Sequence, residues 1–198
     1  MKKIILASAS PRRKEILENL GLRFSVITSD ADESSELCEP EALTRELSKR
    51  KGESVRDVLL SKGELDTDTV IIASDTVVCC DGEILGKPKD RADAERMIRM
   101  LSGKTHTVTS GVALIYRGLT YTDAATTKVT FDELDEEFIE AYISSREPYD
   151  KAGGYAIQGK AAPVISGIEG CYFNVVGLPV NCLCKLAKRN GIPFEINN

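Results

Sequence analysis

The order in which apolar runs follow one another constrains the fold of this chain most. Near the start, strand-like and helix-like stretches alternate. KIILA (residues 3–7) reads as a buried strand, residues 11–20 as a helix, FSVIT (24–28) as a second strand, and residues 40–62 as a long helical stretch that Gly52 is expected to break in two. Beyond residue 69 the pattern changes to strand, turn, strand. The run TVIIASDTVVCCDGEIL predicts a strand, a polar interruption at Ser74-Asp75, and a hairpin turning at Asp81-Gly82. Two longer strand runs, near 105–116 and 119–131, meet at Arg117-Gly118. Helical connections favour parallel neighbours and hairpins require antiparallel ones, so the expected class is α/β with a mixed sheet. Helices at 91–101, about 135–145 and about 178–190, with short strands through 163–176, complete the reading. No repeat, low-complexity segment or linker divides the chain, and residues 1–198 read as a single domain.

Charge and cysteine content narrow the function. A net charge of -5 argues against sequence-independent nucleic-acid binding, which draws on a basic excess. Met1-Lys2-Lys3 is followed by only four apolar residues, too few for a signal-peptide core, and no apolar run reaches the length of a membrane span. A cytoplasmic protein without a membrane partner is expected. The six cysteines form no C-x-x-C pair, which favours reduced, structural thiols, and the single histidine, His106, has no cysteine near it in sequence to make a zinc set.

Several segments carry chemistry. ASASPRR ends a strand and opens a helix, with Ser10 placed to cap it and Pro11 suited to the first helical position. Backbone N–H groups and the helix dipole converge there, and Arg12 and Arg13 add fork-shaped donors for phosphate oxygens. In the first turn these cations oppose the dipole; a bound polyanion would remove the conflict, and the alternative is two solvated surface residues. Asp75 follows the apolar run Val70–Ala73, at the expected end of a buried strand, where a carboxylate needs donors, a cation or a metal. Asp30, Asp32 and Glu33 form either a solvated acidic loop or, paired with Asp75, an oxygen site for Mg²⁺ or Mn²⁺. KAGGYAIQG (151–159) is a loop in which Tyr155 is a candidate to stack on or hydrogen-bond a ligand and Gln158 to read an amide-bearing base edge; a purely structural loop is the other reading. His106 is expected to be structural. Two near matches to the phosphate-binding loop pattern fail in spacing and in context.

Taken together, LASASPRRKEIL, DADE, Lys51 in LSKRKGE, ASDTVV with DGEILGKP, LSGKTHTVTSGV, EPYDKAGGYAIQG and IEGCYFNVVGLP resemble the Maf, or septum formation inhibitor, family of nucleoside triphosphate pyrophosphatases. The resemblance implies an inosine-triphosphatase-like fold: a mixed, elongated sheet with two lobes and a central cleft. It also implies hydrolysis of a nucleoside triphosphate between the α and β phosphates, with a divalent cation, Mg²⁺ or Mn²⁺. Carried onto matching positions, Asp75 is the proton acceptor, Glu33 and Asp75 the metal side, and Ser8, Arg12, Arg13, Lys51 and Lys87 the phosphate side. Positions matching Arg12, Thr76 and Gln158 are associated with substrate choice. The KAGGYAIQG loop resembles the branch acting on dTTP and UTP, with modified pyrimidine triphosphates as further candidates. Gly154 and Ala156 depart from the AGAYGIQG pattern common in that branch, and GKP stands where some members have EKP. A homodimer is left open. The competing class is a non-catalytic nucleotide-binding regulator of division, which would not require Asp75 and Glu33.

Overall fold

In the computed structural model, which describes residues 3–192, the chain runs β1 (Ile4–Leu6), α1 (Pro11–Asn19), β2 (Ser25–Val26), α2 (Pro40–Ser61), β3 (Val70–Cys80), β4 (Glu83–Leu85), α3 (Arg91–Leu101), β5 (Thr105–Tyr116), β6 (Leu119–Phe131), α4 (Glu136–Ile143), β7 (Ile165–Glu169), α5 (Tyr172–Val176) and α6 (Val180–Arg189). The sheet has seven strands in the order β2-β1-β3-β5-β6-β7, with β4 also paired to β3. It is mixed, as expected. β1 pairs in parallel with β2 and with β3 (Ile5 opposite Ile71), whereas β4 is antiparallel to β3 (Cys79 opposite Ile84) and β7 to β6 (Val129 opposite Ile168).

Two compact units divide the chain. The first holds the residues up to Asp75, Ser110–Ala125 and the stretch from Gly177 onward; the second holds Thr76–Thr109 and Thr126–Val176. In the first unit, Ile5, Ala7, Ile71, Ala73, Ala113 and Ile115 of the sheet pack with Val55 and Leu59 of α2. α2 starts at Pro40, where the Glu39 carboxylate accepts from the N–H groups of Glu41 (3.0 Å) and Ala42 (2.6 Å). The expected break at Gly52 does not occur: the helix is continuous, and Gly52 is buried on its sheet-facing side.

In the second unit the core is built from Val78, Leu85, Ala94, Ile98, Leu101, Val108, Phe131 and Tyr142. Asp90 caps α3 through Asp93 N–H (2.8 Å) and Asp135 caps α4 through Phe138 N–H (2.7 Å), so each amphipathic helix begins where its first free amides find a side-chain acceptor.

Three expectations are corrected. β3 runs through Ser74-Asp75 without a break, because both polar groups find partners within the first unit. FSVIT supplies only a two-residue strand, exposed along its length. Residues 172–176 form a short helix, not a strand, held by the fully buried Asn174, whose amide donates to Val108 O (2.8 Å) and Thr127 Oγ1 (2.9 Å). All six cysteines are free. Among the described residues no helix is long and apolar enough to cross a membrane.

Candidate active site

In the first unit, residues from four separate stretches converge on Asp75. The carboxylate is largely buried, with its side chain 10% exposed. Lys51 Nζ donates to Asp75 Oδ1 (2.5 Å) and lies 3.0 Å from Glu33 Oε1, so one ammonium bridges the two carboxylates. Lys51 belongs to the stripe Leu43, Leu47, Val55, Leu59 that faces the sheet, one helical repeat of four from both Leu47 and Val55. That stripe was the signal in the sequence that sets Lys51 apart from the other lysines: a cation in an apolar ladder needs an anion to meet it.

The depth of α2 against the sheet is set by Gly111 on β5. A Cβ there would lie 2.2 Å from Thr44 O and 2.7 Å from Arg45 N, both backbone atoms of the helix, so only glycine allows this approach. The Gly111 carbonyl also accepts from Ser74 Oγ (2.8 Å), a hydroxyl that shares its proton with Gly177 O (3.0 Å). Gly177 O in turn accepts from Arg13 Nε (2.8 Å), while Arg13 Nη1 donates to Ser8 Oγ (3.2 Å). Ser8, Arg13, Ser74 and Gly177 therefore form one chain of hydrogen bonds that fixes the guanidinium.

Burial holds the Arg13 pKa below its ordinary value; the Asp75 charge opposes that, Arg12 adds to the depression, and Glu33 opposes it. The two arginines are thus close enough to repel, in a pocket whose acids partly balance them. The expected side-chain cap from Ser10 is not made: Ser10 stands at the N-cap, but its own N–H donates to Ser8 Oγ (3.2 Å).

The remaining predicted residues lie in the second unit. Thr76 directly follows Asp75 along β3. Lys87 follows Gly86, whose carbonyl accepts from Gly153 N–H (3.0 Å), bringing GKP and KAGGYAIQG together. Gln158 is exposed on that loop. Tyr155 is not available to a ligand as expected: it is 6% exposed and bonded through its hydroxyl to His106 Nε2 (2.7 Å), with Phe131 edge-on to both rings. His106 is structural, as the sequence suggested. Within the acidic loop, Asp32 is spent locally, accepting from Ser34 N–H (2.9 Å) and Ser34 Oγ (2.6 Å).

The donor set suits a hard divalent ion. Glu33 and Asp75 offer carboxylate oxygens within reach of one cation, and no group of three or more metal-binding side chains exists among the described residues. A hard divalent ion such as Mg²⁺, if bound here, would be held by Glu33 and Asp75.

Fold and cluster together describe an α/β protein with cationic forks, an ammonium and two carboxylates gathered at one end of a parallel strand pair. The chain belongs to the Maf family: the model of the Maf-like protein matches residues 3–190. It is 44% identical over 193 residues to the dTTP/UTP pyrophosphatase of Bacillus cereus (strain ATCC 10987 / NRS 248), covering 97% of this chain and 92% of that protein. The dTTP/UTP pyrophosphatase of Bacillus anthracis is also 44% identical, with 97% of each chain covered. Among solved structures, the Ham1 protein of Staphylococcus aureus is similar at a TM-score of 0.47 and 16% identity, over 66% of this chain and 72% of that one.

Proposed function

We propose that this chain is a nucleoside triphosphate pyrophosphatase that hydrolyses dTTP and UTP to the monophosphate and pyrophosphate, as one functional domain. The observation that carries the reading is the 44% identity, over nearly the whole of both chains, to proteins named for that activity. The residue roles rest on chemistry. Arg13, fixed by Gly177 and Ser8, supplies a guanidinium suited to phosphate oxygens, and Arg12 adds positive charge beside it; Lys87 is a phosphate-side candidate by family resemblance. Lys51 bridges Asp75 and Glu33 and balances their charge, and its ammonium is a further candidate for the phosphate side. Asp75 orients the attacking water and takes its proton as oxygen bonds to the α phosphorus and the α–β bridging oxygen leaves with pyrophosphate. A divalent ion held by Glu33 and Asp75 would supply charge neutralisation and a more acidic water. Thr76 and Gln158 are the candidates for contacting the base.

The direct test is pyrophosphate release from a panel of ribo- and deoxyribonucleoside triphosphates with Mg²⁺ or Mn²⁺. Turnover is expected to be highest with UTP and dTTP, and Asp75→Asn is expected to keep the fold while losing about a thousandfold in kcat. Absence of pyrophosphate from every substrate, with binding intact, overturns the enzymatic reading in favour of a binding protein. Substantial turnover in Asp75→Asn removes Asp75 from its role.

A further inference from the structure

Of the loop residues 151–159, only Gln158 is exposed, and the contacts around it are unusually specific. It occupies a turn closed by Gly159 N–H donating to Ala156 O (3.1 Å), next to the buried Ile157. Against this turn lies the carboxylate of Glu147. Both Glu147 oxygens accept from Lys160 N–H (2.9 and 3.1 Å), and Oε1 also accepts from Tyr142 Oη (3.0 Å). The Tyr142 hydroxyl in turn hydrogen-bonds the Ala156 backbone. The carboxylate thus binds both sides of the turn, directly at residue 160 and through a tyrosine at residue 156.

Gly159 makes the grip tight. A Cβ at this position would lie 2.3 to 2.5 Å from all three terminal atoms of the Glu147 side chain, so the turn sits on the carboxylate only because residue 159 has none. Lys151 Nζ closes the other end of the segment by donating to Glu147 O (2.7 Å), and the His106–Tyr155 bond pins its middle. A segment that needed only to be folded would be served by Tyr155 and Ile157 in the core. The Glu147 carboxylate itself ties down only the residues that flank Gln158, residue 160 directly and residue 156 through Tyr142.

We propose that Glu147 is a positioning residue for base selection, holding the turn from which Gln158 meets the pyrimidine. This rests on the assignment of Gln158 to the base. A glutamine amide carries a donor and an acceptor, and the uracil edge, with a carbonyl beside an N–H, differs from the cytosine edge by exchange of the two. Which base it favours therefore depends on where the backbone holds it, and the Glu147 carboxylate sets that position. Loss of the grip lets the amide adapt to either edge, which lowers discrimination rather than the chemical step.

The test is the ratio of kcat/KM for UTP to that for CTP in wild type, Glu147→Ala, Glu147→Gln, Gly159→Ala, Gln158→Ala and the Glu147→Ala/Gln158→Ala double variant. Glu147→Ala and Gly159→Ala are each expected to lower the ratio about tenfold, through KM for UTP with kcat little changed. Glu147→Gln, which keeps one acceptor for Lys160 N–H, is expected to fall between and covers the case in which the alanine variant does not fold. In the Gln158→Ala background, Glu147→Ala is expected to have no further effect, because it acts through Gln158. An unchanged ratio in Glu147→Gln and Gly159→Ala, with a lowered one in Gln158→Ala, overturns the role of Glu147 and leaves that of Gln158 standing. Effects that multiply in the double variant overturn it too. An unchanged ratio in Gln158→Ala overturns the assignment of Gln158, and this inference with it.

Discussion

Lys51 Nζ donates to Asp75 Oδ1 across 2.5 Å, although the two residues lie 24 positions apart on a helix and a strand. Both side chains are mostly buried, 14% and 10% exposed, so neither charge is well hydrated and each depends on the other. Lys51→Met strands the Asp75 carboxylate in the protein and is expected to destabilise the metal-free fold by about 3 kcal/mol. The Lys51→Met/Asp75→Asn double variant removes both charges and should regain most of that loss. Urea denaturation of Lys51→Met, Asp75→Asn and the double variant reads the difference, and single losses that simply add in the double variant would mean that the pair is not coupled.

The same pair depends on a backbone contact. Gly111→Ala places a methyl group 2.2 Å from Thr44 O, where no side-chain adjustment relieves it, so α2 must move away from the sheet. A loss of about 2 to 3 kcal/mol is expected, with a fall in turnover, because Lys51 travels with the helix. Gly167→Ala, whose Cβ would meet only Thr130 side-chain atoms at 3.7 Å or more, is the control and should change neither quantity.

Acid stability reports on the second unit. Burial pushes the His106 pKa down from 6.5 to about 4, and its Nδ1 has no hydrogen-bond partner, so the folded protein keeps the ring neutral. Between these values the unfolded chain binds a proton that the folded chain refuses, and stability must fall as pH falls. The loss begins near pH 6.5, is complete near pH 4, and amounts to about 3 kcal/mol. Above pH 6.5 both states are neutral and His106 contributes no slope. His106→Phe, set between Phe131 and Tyr155, should flatten the pH dependence of the urea midpoint in this window by close to one proton; an unchanged slope would contradict a neutral buried ring.

Much of this arrangement was legible in the sequence, for reasons that differ from element to element. The mixed sheet followed from local pattern, because helical connections and hairpins leave different periodicities. The proximity of Glu33 to Asp75 did not, since it depends on Lys51, whose place in the apolar stripe of α2 marks a cation that needs an anion but not which anions it meets. Ser74-Asp75 looked like the end of a strand because two polar residues in an apolar run are costly when unpartnered; the structure supplies Gly111, Gly177 and Lys51, and the strand continues. YFNVV has the composition of a strand, yet Asn174 bonds to β5 and β6 from a helix, a tertiary demand that overrides local preference. Tyr155 looked like a ligand contact because its loop is glycine-rich, whereas those glycines let the loop fold inward around it. Glu147 stands in the matching segment EPYDKAGGYAIQG, but nothing there marked its role, because its partners, the Tyr142 hydroxyl and Lys160 N–H, are brought to it by the fold.

The central claim is that water attacks the α phosphorus of a pyrimidine triphosphate, and the products state it most directly. UTP turned over in heavy-oxygen water, with Mg²⁺ present, is to be followed by phosphorus NMR and mass spectrometry. UMP and pyrophosphate are predicted in equal amounts, with the solvent oxygen on UMP. Formation of UDP and phosphate, or solvent oxygen on pyrophosphate, would contradict it.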